Sequence, residues 1–165
     1  MTTPLQRNCF GKISTSRLSL WGLVALLLSP VWALAATFVV DDSKSVVLDP
    51  NIPLQWRSLS PSKGDHAVQG VTRVQLRLDT SAWVGKFGRI YMVLPAQPNG
   101  LVKASWQTQG QLLNGQLNSG QRGLVWSGVL PRALLEDLMT VTIISDGRLL
   151  ATSQALRFTF EIDLP

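Results

Sequence analysis

Val71-Thr72-Arg73-Val74-Gln75-Leu76-Arg77-Leu78-Asp79 decides the fold class. Val74, Leu76 and Leu78 alternate with Arg73, Gln75, Arg77 and Asp79. A period of two puts the apolar set on one face of a strand and the charges in water. Downstream, Thr80–Gly88 reads as a loop. Arg89–Leu94 (RIYMVL) is apolar on both faces, which predicts a central strand. Pro95–Gly100 turns the chain. Val102, Ala104 and Trp106 then alternate with Lys103, Ser105 and Gln107.

The remainder follows the same rhythm. Gln107–Gly123, rich in Gln, Asn, Ser and Gly, reads as a loop or as one short edge strand around Gln111–Leu113. Leu124–Ser127 and Thr140–Ile144 are short strands. Pro131–Met139 (PRALLEDLM) is the helical candidate, because proline suits a first helical turn and Leu134, Leu135 and Leu138 share a helical face. Asp146-Gly147 predicts a tight hairpin turn with Arg148–Thr152 returning. Leu156, Phe158, Phe160 and Ile162 alternate in a final strand. Upstream, Ala36–Val40 and Ser45–Leu48 are short extended segments, Asp49-Pro50-Asn51 is a turn, and Ser58–Gly70 is a polar loop. Parity places Trp56, Trp106 and Trp126 in the core. Turn residues every eight to twelve positions predict an all-β protein: a single antiparallel β-sandwich, immunoglobulin-like or jelly-roll, with one short helical turn.

Residues 1–35 read as a signal peptide. Arg7, Lys12 and Arg17 precede the largely apolar run Leu18–Leu28; Ser29-Pro30 breaks it, and Ala33-Leu34-Ala35 offers small residues for cleavage before Ala36. Residues 36–165 are then the β-sandwich domain, periplasmic or at the cell surface, with no membrane association after cleavage. The chain carries 15 Lys and Arg against 10 Asp and Glu, a net charge of +5. Three of those cations lie in the leader, so the domain is close to neutral. A near-neutral surface excludes nucleic acid held by a basic patch. Cys9 is the single cysteine and lies in the leader, so thiol chemistry, iron–sulfur clusters and cysteine zinc sites are excluded from the mature chain.

Residue patterns for catalysis are missing from the sequence. His66 sits in a polar loop without a recognisable nucleophile, and there is no G-x-S-x-G elbow. The carboxylates all read as outward-facing, whereas a catalytic acid needs burial. Asp41, Asp42 and Asp49 lack the calcium-loop spacing. Gly85-Lys86-Phe87-Gly88 and Gly120-Gln121-Arg122-Gly123 are not followed by helices, as phosphate loops require. The chain therefore reads as a non-enzyme with no catalytic residue, cofactor or metal. The candidate binding residues are Trp83, Lys86 and Phe87, a cation between two aromatics on a glycine-bounded loop, suited to protein contacts or sugar rings. The competing reading makes Trp83 a plug for the end of the sandwich.

The layout as a whole carries a resemblance. A leader, one β domain, an extended segment directly after cleavage at Ala36–Leu48 and an alternating terminal strand Leu156–Leu164 together resemble the subunits of bacterial surface fibres assembled by donor-strand exchange. The chain departs from many of them in lacking a cysteine pair and a near-terminal tyrosine, its single tyrosine being Tyr91. The resemblance implies a structural role in an envelope or surface assembly such as a pilus, with protein partners engaged through a sheet edge. The alternative is a carbohydrate-binding module that stacks Trp83 and Trp126 on a glycan.

Overall fold

The structure, a computed structural model, describes residues 36–57, 66–97, 100–149 and 156–165. The predicted leader, most of the polar loop after Arg57, and the return over 150–152 lie outside the described residues.

The ten strands of the described residues are β1 (Ala36–Val40), β2 (Val46–Val47), β3 (Gln55–Trp56), β4 (Ala67–Asp79), β5 (Phe87–Leu94), β6 (Lys103–Thr108), β7 (Gly115–Asn118), β8 (Gln121–Val129), β9 (Leu134–Asp146) and β10 (Thr159–Leu164). They form two antiparallel sheets. One has the order β1-β10-β5-β8, and the other β2-β4-β9-β6-β7 with β3 also on β4. An all-β sandwich is thus what the chain forms. The alternation in β4 works as read: Leu76 and Leu78 are buried, and Arg73 and Gln75 are exposed. β5 is central, between β10 and β8.

The first 22 described residues serve both sheets. β1 lies on β10, a bridge between Asp41 and Asp79 carries the chain across, and β2 and β3 then run along the edge of β4. The order β4-β9-β6 opposite β5-β10 matches strands B-E-D and C-F of an immunoglobulin sandwich, with β2 and β3 in the place of A. The place of G, beside the F-like β10, is taken by β1.

Trp106 is the largest wholly enclosed side chain. Its Nε1 donates to Leu113 O at 2.8 Å. Its six-membered ring fits over two glycines: a methyl group at Gly115 or Gly123 would overlap the ring.

Several expectations are corrected. Residues 134–139 are strand, not helix: Leu135, Asp137, Met139, Val141 and Ile143 form one buried row of β9, and the helical turns among the described residues are 3-10 turns at Ser81–Trp83 and Gly147–Leu149. The second of these also replaces the tight hairpin turn. Asp137 is buried rather than outward. Its Oδ1 accepts the N–H groups of Gln109 (3.2 Å) and Gly110 (2.8 Å), and its Oδ2 accepts that of Leu112 (2.9 Å). Three backbone donors replace the water that the carboxylate gives up. They also hold the chain at 109–112 in a loop, so the edge strand forms at Gly115–Asn118 instead.

Trp56 shares the inward face with its register partner Val68, yet it lies 54% exposed, near Gly147. In β8 the register with β5 jumps from Trp126 opposite Ile90 to Leu124 opposite Tyr91. Val125, the extra residue of this β-bulge, takes the buried position, while Leu124 and Trp126 are half-buried. Trp126 still packs against the core, and among the described residues its Nε1 is enclosed without a hydrogen-bond partner.

Candidate functional site

The loop holding Trp83 and Lys86 is fixed at both ends, and Phe87, expected on it, is the first residue of β5. Thr80 is fully buried, with Oγ1 donating to Arg132 O at 2.7 Å and N–H to Ala133 O at 2.8 Å. The Asp79 carboxylate accepts from Ser81 N–H and Oγ, and these bonds hold its carboxyl below the usual carboxylate range. Gly85 turns at φ +79°, a region open to glycine because it has no Cβ. Gly85 N–H donates to Leu130 O, and Leu130 N–H donates back to Lys86 O, both at 2.9 Å. The loop is therefore laced to residues 130–133 as a rigid shelf.

The three candidate residues do not form one patch. Trp83 is half-buried against the core, and its ring meets Phe38 of β1 at a centroid distance of 6.1 Å and an interplanar angle of 42°. Phe38 lies in the register row of Ile162 and Ile90, both wholly buried, so it faces the inter-sheet space from the sheet margin. Phe87 lies on the opposite face of that sheet, in register with Val129; both are about half exposed. Lys86 is exposed. Among the described residues no ring contact joins Trp83 to Phe87.

Sequence reasoning missed the partner of Trp83. Phe38 lies on a strand that four of its five residues leave exposed, with Val40 alone buried. Besides the ring contact, a hydrogen bond from Thr37 Oγ1 to Asp163 Oδ1 at 2.6 Å fixes β1. That hydroxyl, aided by Arg122, keeps the Asp163 carboxyl below its ordinary range. Arg122 Nη2 lies 3.0 Å from Asp163 Oδ2, and its guanidinium stacks 4.3 Å above the Tyr91 ring. Thr37, Asp163, Arg122 and Tyr91 thus form a linked polar row on the outer face. The alternation of β10 implied its inner face but carried no sign of this row.

A second concave surface lies on the outer face of the other sheet. Ser105, Gln107, Asn114, Gln116, Thr140 and Thr142 line a groove of about 470 Å³. Register sets Ser105 between Thr142 and Gln116, and Gln107 opposite Thr140.

The other sequence candidates are used internally or remain apart. His66 O accepts the N–H of Gly147, Asp41 accepts the N–H of Ser43, and Asp49 pairs with Arg73 at 3.2 Å. Among the described residues no group of three or more His, Cys, Asp or Glu is placed to hold a metal ion. Nor is any described helix long and apolar enough to cross a membrane.

No protein-family model matches the chain, and no curated protein matches its sequence. Any functional reading therefore rests on the geometry.

Proposed function

We propose that the chain is a non-enzymatic structural subunit of an envelope or surface assembly of the pilus type, exported behind residues 1–35 and joined to its neighbours by exchange of β1. One observation carries the reading: the seventh-strand place beside β10 is filled from the opposite end of the chain. β1 is held there by five register pairs, one buried side chain, one hydroxyl–carboxylate bond and one ring contact. A second copy would offer the same strand to the same place, so exchange replaces every contact in kind. This is the condition under which swapping is a low-cost route to association. The Trp83 shelf then acts as the seat for Phe38 of the incoming strand.

The test uses the register pair Thr37 and Asp163. Thr37→Cys and Asp163→Cys are introduced together in a Cys9→Ser background and expressed in full in a bacterium that exports the chain. The expected result is a ladder of disulfide-linked multimers on a non-reducing gel, collapsing on reduction. A cross-linked monomer with no ladder would refute the exchange.

A further inference from the structure

Outside the β1–β10 edge, the groove over β7, β6 and β9 has a chemistry that solvent exposure alone does not demand. Its six polar side chains are all uncharged. The charges of the same sheet face stand beside it and are paired: Arg73, the register partner of Thr140, lies 3.2 Å from Asp49, and Arg77 Nε lies 2.9 Å from Glu136. Within the groove, Ser105, Gln107, Gln116, Thr140 and Thr142 make no side-chain hydrogen bond to protein among the described residues. Asn114 is fixed: its Oδ1 accepts the N–H of Thr108 at 2.7 Å and the Oγ1 of Thr108 at 3.1 Å. That leaves the amide NH2 of Asn114 as an oriented donor at the rim.

Hydroxyl and primary-amide groups both donate and accept. The strands set them in rows about 4.8 Å apart, with successive same-face positions about 6.7 Å apart along each strand. A ligand matched to such a grid carries closely spaced hydroxyls that also donate and accept, and carries no net charge. Anionic ligands favour an Arg or Lys in the lining, and apolar ones an apolar wall; the one large apolar side chain at this groove, Trp106, is enclosed.

We propose that this groove binds a neutral oligosaccharide through hydrogen bonds from Ser105, Asn114, Gln116 and Thr142, without aromatic stacking. The site lies apart from the β1–β10 edge, so it stands or falls independently of strand exchange.

The test is a titration of the 15N-labelled protein, purified after expression of the full chain, with soluble cello-, malto-, xylo- and chito-oligosaccharides to millimolar concentration. At least one should shift the amide signals of Ser105, Gln116 and Thr142 and leave those of Trp83 and Phe87 in place. Thr142→Arg should fill the groove and abolish the shifts. Thr142→Val, which keeps the strand and removes one hydroxyl, should weaken affinity by about tenfold, or ~1.4 kcal/mol. Trp83→Ala should leave affinity unchanged. If no oligosaccharide shifts the groove amides, or if shifts centre on Trp83 and Phe87, the assignment is overturned.

Discussion

Gly123→Ala tests how the core is built. Its added methyl would overlap Cη2 of Trp106 and meet Cζ2 and Cζ3 at 3.3 Å, whereas non-bonded carbons rest at about 3.5–4.0 Å. The indole cannot easily retreat. Nε1 is tied to Leu113 O, and the backbone at Gly115 blocks the ring in the same way, since a methyl there would also overlap it. Overpacking of this kind costs about 1–3 kcal/mol. The alanine recovers about 0.4–1 kcal/mol by restricting the unfolded chain. The expected net loss is about 1.3 kcal/mol, a fall in Tm of about 5 °C for a domain of this size. Urea unfolding should show a lower midpoint with an unchanged slope.

Trp106→Phe, which removes the overlapped ring, completes a double-mutant cycle. The double variant should be more stable than the sum of the single losses by about 1 kcal/mol or more. Additivity within ~0.5 kcal/mol would show that the indole is not what excludes the methyl, and the cradle argument would fail.

Three further outcomes follow from the same geometry. Asp137→Asn leaves one carbonyl oxygen to serve three N–H groups, so it should cost about 2–4 kcal/mol and speed amide exchange at Leu112; a loss below ~1 kcal/mol would contradict the role given to the carboxylate. Trp126→Phe removes an enclosed donor that has no partner, so urea unfolding should stay within ~1 kcal/mol of the parent; a large loss would mean the indole N–H is satisfied. Asp163 ionises more readily folded than unfolded, so its contribution is complete above the unfolded value of ~3.9 and is lost as pH falls through the lower folded value. Acid titration should therefore loosen β1, seen as a change in Trp83 fluorescence; Asp163→Asn should flatten that pH dependence, and an unaltered profile would contradict the assignment.

The sandwich was legible where burial follows strict alternation, as in β4, β6 and β10. It was hidden at Leu134–Met139 because an inward-facing Asp137 interrupts the apolar row, leaving leucines whose spacing suits a helix. The backbone donors that make this acid tolerable come from residues 109–112, and no local pattern reveals them. Leu124 and Trp126 do not share a face, as plain alternation implied, because one extra residue in β8 reverses parity between them; Trp56 was misplaced because phase does not say where a sheet ends. The shelf at Trp83 was visible in sequence as aromatic residues and glycines on a loop. Its partner was not: Phe38 lies 45 residues away, on a strand whose composition gives no address. The uncharged groove could have been found from Ser105, Gln107, Thr140 and Thr142 once β6 and β9 were known to be neighbours.

The pairing of β1 with β10 also sets a timetable. Thr37 and the Asp163 that it binds are 126 residues apart, so β1 is synthesised well before the strand it pairs with. At the usual ~5–20 residues per second that interval is roughly 6–25 s. All through it the young chain holds a sticky, uncharged strand, Ala36–Val40, with no place to dock. Whatever meets Ala36–Val40 before β10 is available competes with β10 for it.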